Sequence, residues 1–92
     1  MLQALLSIYK SYTSFFEEAG VDATKDFQRL LDDVDEAMNK EEFIDRIIAV
    51  NNLYERLETF CRKHRKRLPP TILTALKADI TNILENIPLL TP

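Results

Sequence analysis

The chain has 92 residues, 46% apolar and 29% charged, with a net charge of −3. That balance excludes both a disordered polymer and a membrane-spanning protein, and the length suits one domain with a single core. One glycine leaves little with which to build hairpins or phosphate-cradling loops, so the fold class expected is all-α.

The apolar positions Leu2, Leu5, Leu6, Tyr9, Tyr12, Phe15, Phe16 and Ala19 recur at three- and four-residue steps, the mark of one buried helix face. The start lacks a basic leader region, and Lys10 interrupts the apolar stretch, so it reads as a first helix and not as a signal peptide. Gly20 is expected to close that helix in a left-handed conformation, with Val21 packing back on Phe16.

Asp22 is then expected to cap a second helix from about Ala23 to Met38, whose stripe is Phe27, Leu30, Leu31, Val34, Ala37 and Met38. Asn39 and Glu42 have the spacing of a capping box, which opens a third helix. Its apolar positions are Phe43, Ile44, Ile47, Ile48, Val50, Leu53, Tyr54, Leu57, Phe60 and Cys61, with no breaker before Pro69. Unbroken, it would be about 40 Å long, the longest of the set.

Pro69-Pro70 must interrupt that helix, yet proline is favoured in the first turn of the next. A fourth helix therefore starts near Pro70 or Thr71, buries Ile72, Leu73, Leu76, Ile80, Ile83, Leu84 and Ile87, and stops at Pro88, with Leu89 to Pro92 as a loose tail. Four amphipathic helices with connections this short pack antiparallel, as an up-down-up-down four-helix bundle with a long third helix, in one domain spanning 1–92.

Catalytic parts are scarce. Cys61 and His64 are three apart, as a nucleophile and base would be on one helix face, but Cys61 lies on the apolar stripe and no oxyanion-binding turn accompanies it. Two such ligands do not make a metal site. The acidic pairs Glu17-Glu18, Asp32-Asp33, Asp35-Glu36 and Glu41-Glu42 read as solvated faces, and Tyr9, Tyr12, Phe15 and Phe16 have the spacing of a core. No enzyme activity, cofactor or metal is expected. The lone cysteine cannot form an internal disulfide, which suits a reducing, cytoplasmic compartment.

Arg62-Lys63-His64-Arg65-Lys66-Arg67 does stand out, with five obligate cations in six residues. Cations at a helix C-terminus are favoured by its dipole, by about 0.3–1 kcal/mol each, but five repel one another. Residues 1–46 carry 5 basic and 11 acidic groups, and residues 47–92 carry 7 and 4. The chain is thus an electrical dipole whose basic end steers towards acidic surfaces. Those surfaces include anionic lipid headgroups, an acidic protein face and nucleic acid, the last disfavoured by the overall negative charge and the lack of a helix-turn-helix or stacking pattern.

The segment with Phe60, His64-Arg65-Lys66-Arg67-Leu68-Pro69 and Ile72-Leu73-Thr74 resembles the pediocin-like (class IIa) bacteriocin immunity proteins. The likeness runs from Tyr54 to Ile83: an aromatic helix end, a His-and-basic turn and a proline-led last helix. The resemblance implies a four-helix bundle, cytoplasmic and peripheral at the inner face of the membrane, that protects a bacteriocin producer. Its partner would be the mannose phosphotransferase permease with bound bacteriocin, and specificity would sit in the C-terminal half. Carried over by residue, recognition falls on the turn from His64 to Pro70, with Thr71 and Thr74 nearby; together with the basic run, the expected partner-binding residues are Arg62, Lys63, His64, Arg65, Lys66, Arg67, Pro69, Pro70, Thr71 and Thr74, in a protein expected to be a monomer. A denser basic run and a double proline depart from the family's pattern. The competing readings are a small phage or plasmid regulator that binds nucleic acid or a protein through the same basic end, and an assembly adaptor completing a larger helical bundle.

Overall fold

The computed structural model describes residues 2–87. They form four helices, α1 (Leu2–Ala19), α2 (Val21–Met38), α3 (Phe43–His64) and α4 (Pro70–Asn86), with no strand among the described residues. Each helix packs on its chain neighbours, and α4 closes the ring on α1, giving an antiparallel four-helix bundle of 40 × 23 × 20 Å. The expected stop at Pro88 and the tail Leu89 to Pro92 lie outside the described residues.

A single residue joins α1 to α2. The Gly20 N–H donates to the carbonyl of Phe16 at 3.1 Å and so ends α1. Its own carbonyl accepts from the N–H of Thr24 at 3.1 Å and from Thr24 Oγ1 at 3.0 Å, which opens α2. Its φ of 125° is the positive value expected, but ψ is 173°, so the backbone is extended in the mirror region open to glycine and not in a left-handed helical turn. Three expectations are corrected as a result. Helix α2 begins at Val21, Asp22 lies in its first turn without capping it, and Val21 is 68% exposed instead of packing on Phe16.

Asn39 closes α2 and does not open α3. Its N–H donates to the carbonyls of Asp35 and Glu36 at 3.2 and 3.1 Å, and its side-chain Nδ2 donates to Asp35 at 2.9 Å. The capping box therefore does not form, and Glu42, extended at φ −82° and ψ 134°, precedes the first turn of α3.

Helix α3 is the longest element, but its 22 residues make it about 33 Å long and not 40 Å. It stops before the proline is reached, because the N–H groups of Arg67 and Leu68 both turn back to the carbonyl of His64 at 3.1 Å. Leu68 is buried, which pulls the chain inward before Pro69 and Pro70 start α4. The Pro69 carbonyl accepts from Ile72 and Leu73, and Pro70 occupies the first turn, where its missing donor is not needed.

In α2 and α4 the buried residues follow the expected stripes. In α1 they are Leu5, Ile8, Tyr12 and Phe16, so Ile8 takes the core position and Leu6 and Tyr9 are exposed. Phe16 and Phe27 stack with centroids 4.3 Å apart, and Phe60 tilts against Phe16 at 5.6 Å. This aromatic group fills the end of the bundle beneath the α3–α4 turn.

Candidate binding surface at the α3–α4 turn

The six residues from Arg62 to Arg67 divide into an anchor and a display. His64 is the anchor: it is 2% exposed, on the same stripe as Leu57 and Phe60, and its ring packs on Phe60 and edge-on to Phe16 at 4.9 and 6.5 Å. Its expected role as a contact for a partner is therefore corrected, since a side chain buried this far has no surface to offer.

Nε2 of His64 lies 3.0 Å from Oδ2 of Asp26 on α2. Nζ of Lys63 donates to the same oxygen at 2.7 Å, so one carboxylate fastens the end of α3 to α2 through two neighbouring residues. The Lys63 bond, opposed by burial and reinforced by His64, holds the Asp26 carboxyl below its usual range. Lys63 is exposed yet paired within the molecule, and Arg62 reaches Thr59 Oγ1 at 3.4 Å.

Arg65, Lys66 and Arg67 form the display. All three are exposed, and among the described residues their side chains make no hydrogen bond or ion pair. They lie between two buried anchors, His64 and Leu68, which hold the turn by both ends. Pro69, Pro70, Thr71 and Thr74 are exposed on the adjoining start of α4. The fold thus brings together nine of the ten expected residues at one end of the bundle, three of them as unpaired cations, and withdraws His64.

Asp26 is the residue that sequence reasoning missed. It stands 38 positions from His64, and nothing in its local sequence distinguishes it from the other α2 carboxylates. A groove of about 550 Å³ between α2 and α3 opens beside it, crossed by the 2.6 Å ion pair of Arg56 with Asp33.

Burial pushes the Cys61 thiol up, away from thiolate, with Lys77 pulling the other way, and the one His is engaged with Asp26. Among the described residues no group of three or more His, Cys, Asp or Glu gathers as metal ligands would, and no helix is long and apolar enough to cross a membrane. No known protein family, curated protein or solved structure matches the chain.

Proposed function

We propose that this protein is a non-catalytic immunity protein, protecting a bacteriocin producer from the cytoplasmic side by binding where the membrane receptor holds the bacteriocin. The observation that carries the reading is the trio Arg65, Lys66 and Arg67, unpaired cations on a turn anchored at both ends. The turn coincides with the segment that resembles the class IIa immunity proteins. A rigid turn presents its charges at low entropic cost, which favours recognition of one acidic surface over loose attraction to many. In this reading Pro69, Pro70, Thr71 and Thr74 supply the uncharged rim, and the acidic partner is the cytoplasmic face of the permease or the headgroups beside it.

Expression in a strain sensitive to pediocin-like bacteriocins tests the proposal. Protection is expected from the native chain and should be lost in the triple variant Arg65→Ala/Lys66→Ala/Arg67→Ala, whose melting temperature stays within about 2 °C because exposed, unpaired charges add little stability. No protection against any such bacteriocin would overturn it. Duplex DNA binding that weakens steeply with salt, and vanishes in the same variant, would instead assign the turn to phosphate.

A further inference from the structure

The first two turns of α3 are turned inside out. The core stripe of this helix is Arg46, Val50, Leu53, Leu57, Phe60 and His64, all buried. Phe43, Ile44, Ile47 and Ile48 form a second apolar stripe whose centre lies roughly 130° around the axis from the first. Ile44 and Ile48 are 62% and 54% exposed and Phe43 is 46% exposed, while Arg46 among them is 6% exposed, its guanidinium 5.9 Å from the centre of the Phe43 ring. Isoleucines more than half exposed forgo much of the stabilisation that burial would bring, so a cluster here points to something that covers it.

The charge around the patch says what that is. Glu41, Glu42 and Asp45 are exposed at its edge, and Lys40 is drawn off to Glu36 at 3.5 Å. A groove of about 510 Å³ between α2 and α3 runs on from Ile48 over Ala49 and Leu53; of its carboxylates Asp33 is paired with Arg56 and Glu36 with Lys40, which leaves Asp45 without an ion pair among the described residues. The surface is therefore apolar at its centre and acidic at its margin.

We propose that this surface docks a cationic amphipathic helix of another protein, its apolar face on Phe43, Ile44 and Ile48 and its Lys or Arg residues against Glu41, Glu42 and Asp45. A second copy fits poorly. Two-fold pairing on the patch brings both acidic margins together, and four side chains fall short of the about 800 Å² per partner that a stable dimer buries. An anionic bilayer is repelled by the same carboxylates. The site lies at the opposite end of α3 from the basic turn and does not depend on the immunity reading.

The test is fluorescence anisotropy of a labelled 18-residue Leu/Lys amphipathic peptide titrated with the full chain. A Leu/Glu counterpart and a Leu/Lys peptide scrambled out of helical period serve as controls. The Leu/Lys helix should bind, at least tenfold more tightly than either control. Ile44→Ser/Ile48→Ser should weaken it at least tenfold with unchanged helicity, and Glu41→Gln/Glu42→Gln/Asp45→Asn should weaken it and flatten its salt dependence. The Arg65, Lys66 and Arg67 alanine variant should bind as the native chain does, so failure here and failure of the immunity reading are separable. In the unmodified chain, NMR shifts on adding peptide should centre on residues 41–52. Equal binding of the controls, shifts elsewhere, a concentration-dependent dimer abolished by Ile44→Ser/Ile48→Ser, or binding to anionic vesicles through the patch would each overturn the proposal. So would tighter peptide binding in Leu89→Ser/Leu90→Ser, which would make the chain's own C-terminal residues the occupant.

Discussion

Oδ2 of Asp26 accepts from Lys63 at 2.7 Å and lies 3.0 Å from Nε2 of the buried His64, so one side chain of α2 fixes the last turn of α3. The two bonds differ in what their loss exposes. Asp26→Ala leaves the imidazole buried without its partner, which costs about 1–3 kcal/mol, whereas Lys63→Ala removes only a solvent-facing ion pair worth under about 1 kcal/mol. Urea denaturation should therefore rank Asp26→Ala clearly below Lys63→Ala. Equal losses would mean that the His64 contact contributes nothing to stability.

The same carboxylate makes stability depend on acid. The Lys63 bond, against the opposing effect of burial and with help from His64, lowers the folded-state pKa of Asp26 below its ordinary 3.8. A depressed folded value means the contribution is complete above the unfolded pKa and is lost as pH falls through the folded one. Stability measured from pH 5 to pH 2 should fall, and Asp26→Asn should make that fall shallower. An unchanged acid limb in Asp26→Asn would place the acid sensitivity in other carboxylates.

At the alkaline end the sign reverses. Tyr12 on α1 donates its hydroxyl to Asp79 Oδ2 on α4 at 2.6 Å, and burial together with that bond pushes the phenol up to about 12. A raised folded value favours the neutral phenol, so its stabilisation is present below about pH 10 and lost as pH climbs from 10 towards 12. Tyr12→Phe should cost about 1 kcal/mol at neutral pH, flatten the alkaline limb, and remove a late-ionising component from the ultraviolet titration of the three tyrosines.

The stripes of α2 and α4 were legible because each carries one apolar arc with polar residues opposite. Helix α3 was not: its ten apolar positions hold two arcs, and a sequence read for periodicity alone merges them into a single face. In α1 the steps from Leu5 to Ile8, Tyr12 and Phe16 are helical, but so are those through Leu6 and Tyr9, and periodicity alone does not choose between the two arcs. His64 carried a usable signal. Its steps from Leu57 and Phe60 place it on the core face, but the cations on both sides made it read as surface. Asp26 was beyond local reasoning, since its partners come from another helix. The display of Arg65, Lys66 and Arg67 was legible as composition, and the anchors that hold it were not.

Gly20 offers the sharpest test of how the first hairpin is made. A Cβ built on it meets no atom within 4 Å, so a side chain has room, yet φ is 125° and ψ is 173°, a combination that L-residues avoid. The penalty for Gly20→Ala is thus backbone strain and not a clash, about 1–3 kcal/mol, or a fall of roughly 4–24 °C in melting temperature for a domain of this size. Replacement by D-alanine in a chemically synthesised chain puts the methyl on the other side of the backbone, where positive φ is its natural conformation. That protein should match or exceed the native melting temperature. If L-alanine proves as stable as glycine, the one-residue connection must be able to rearrange. If D-alanine is as damaging as L-alanine, lost space and not φ governs the position.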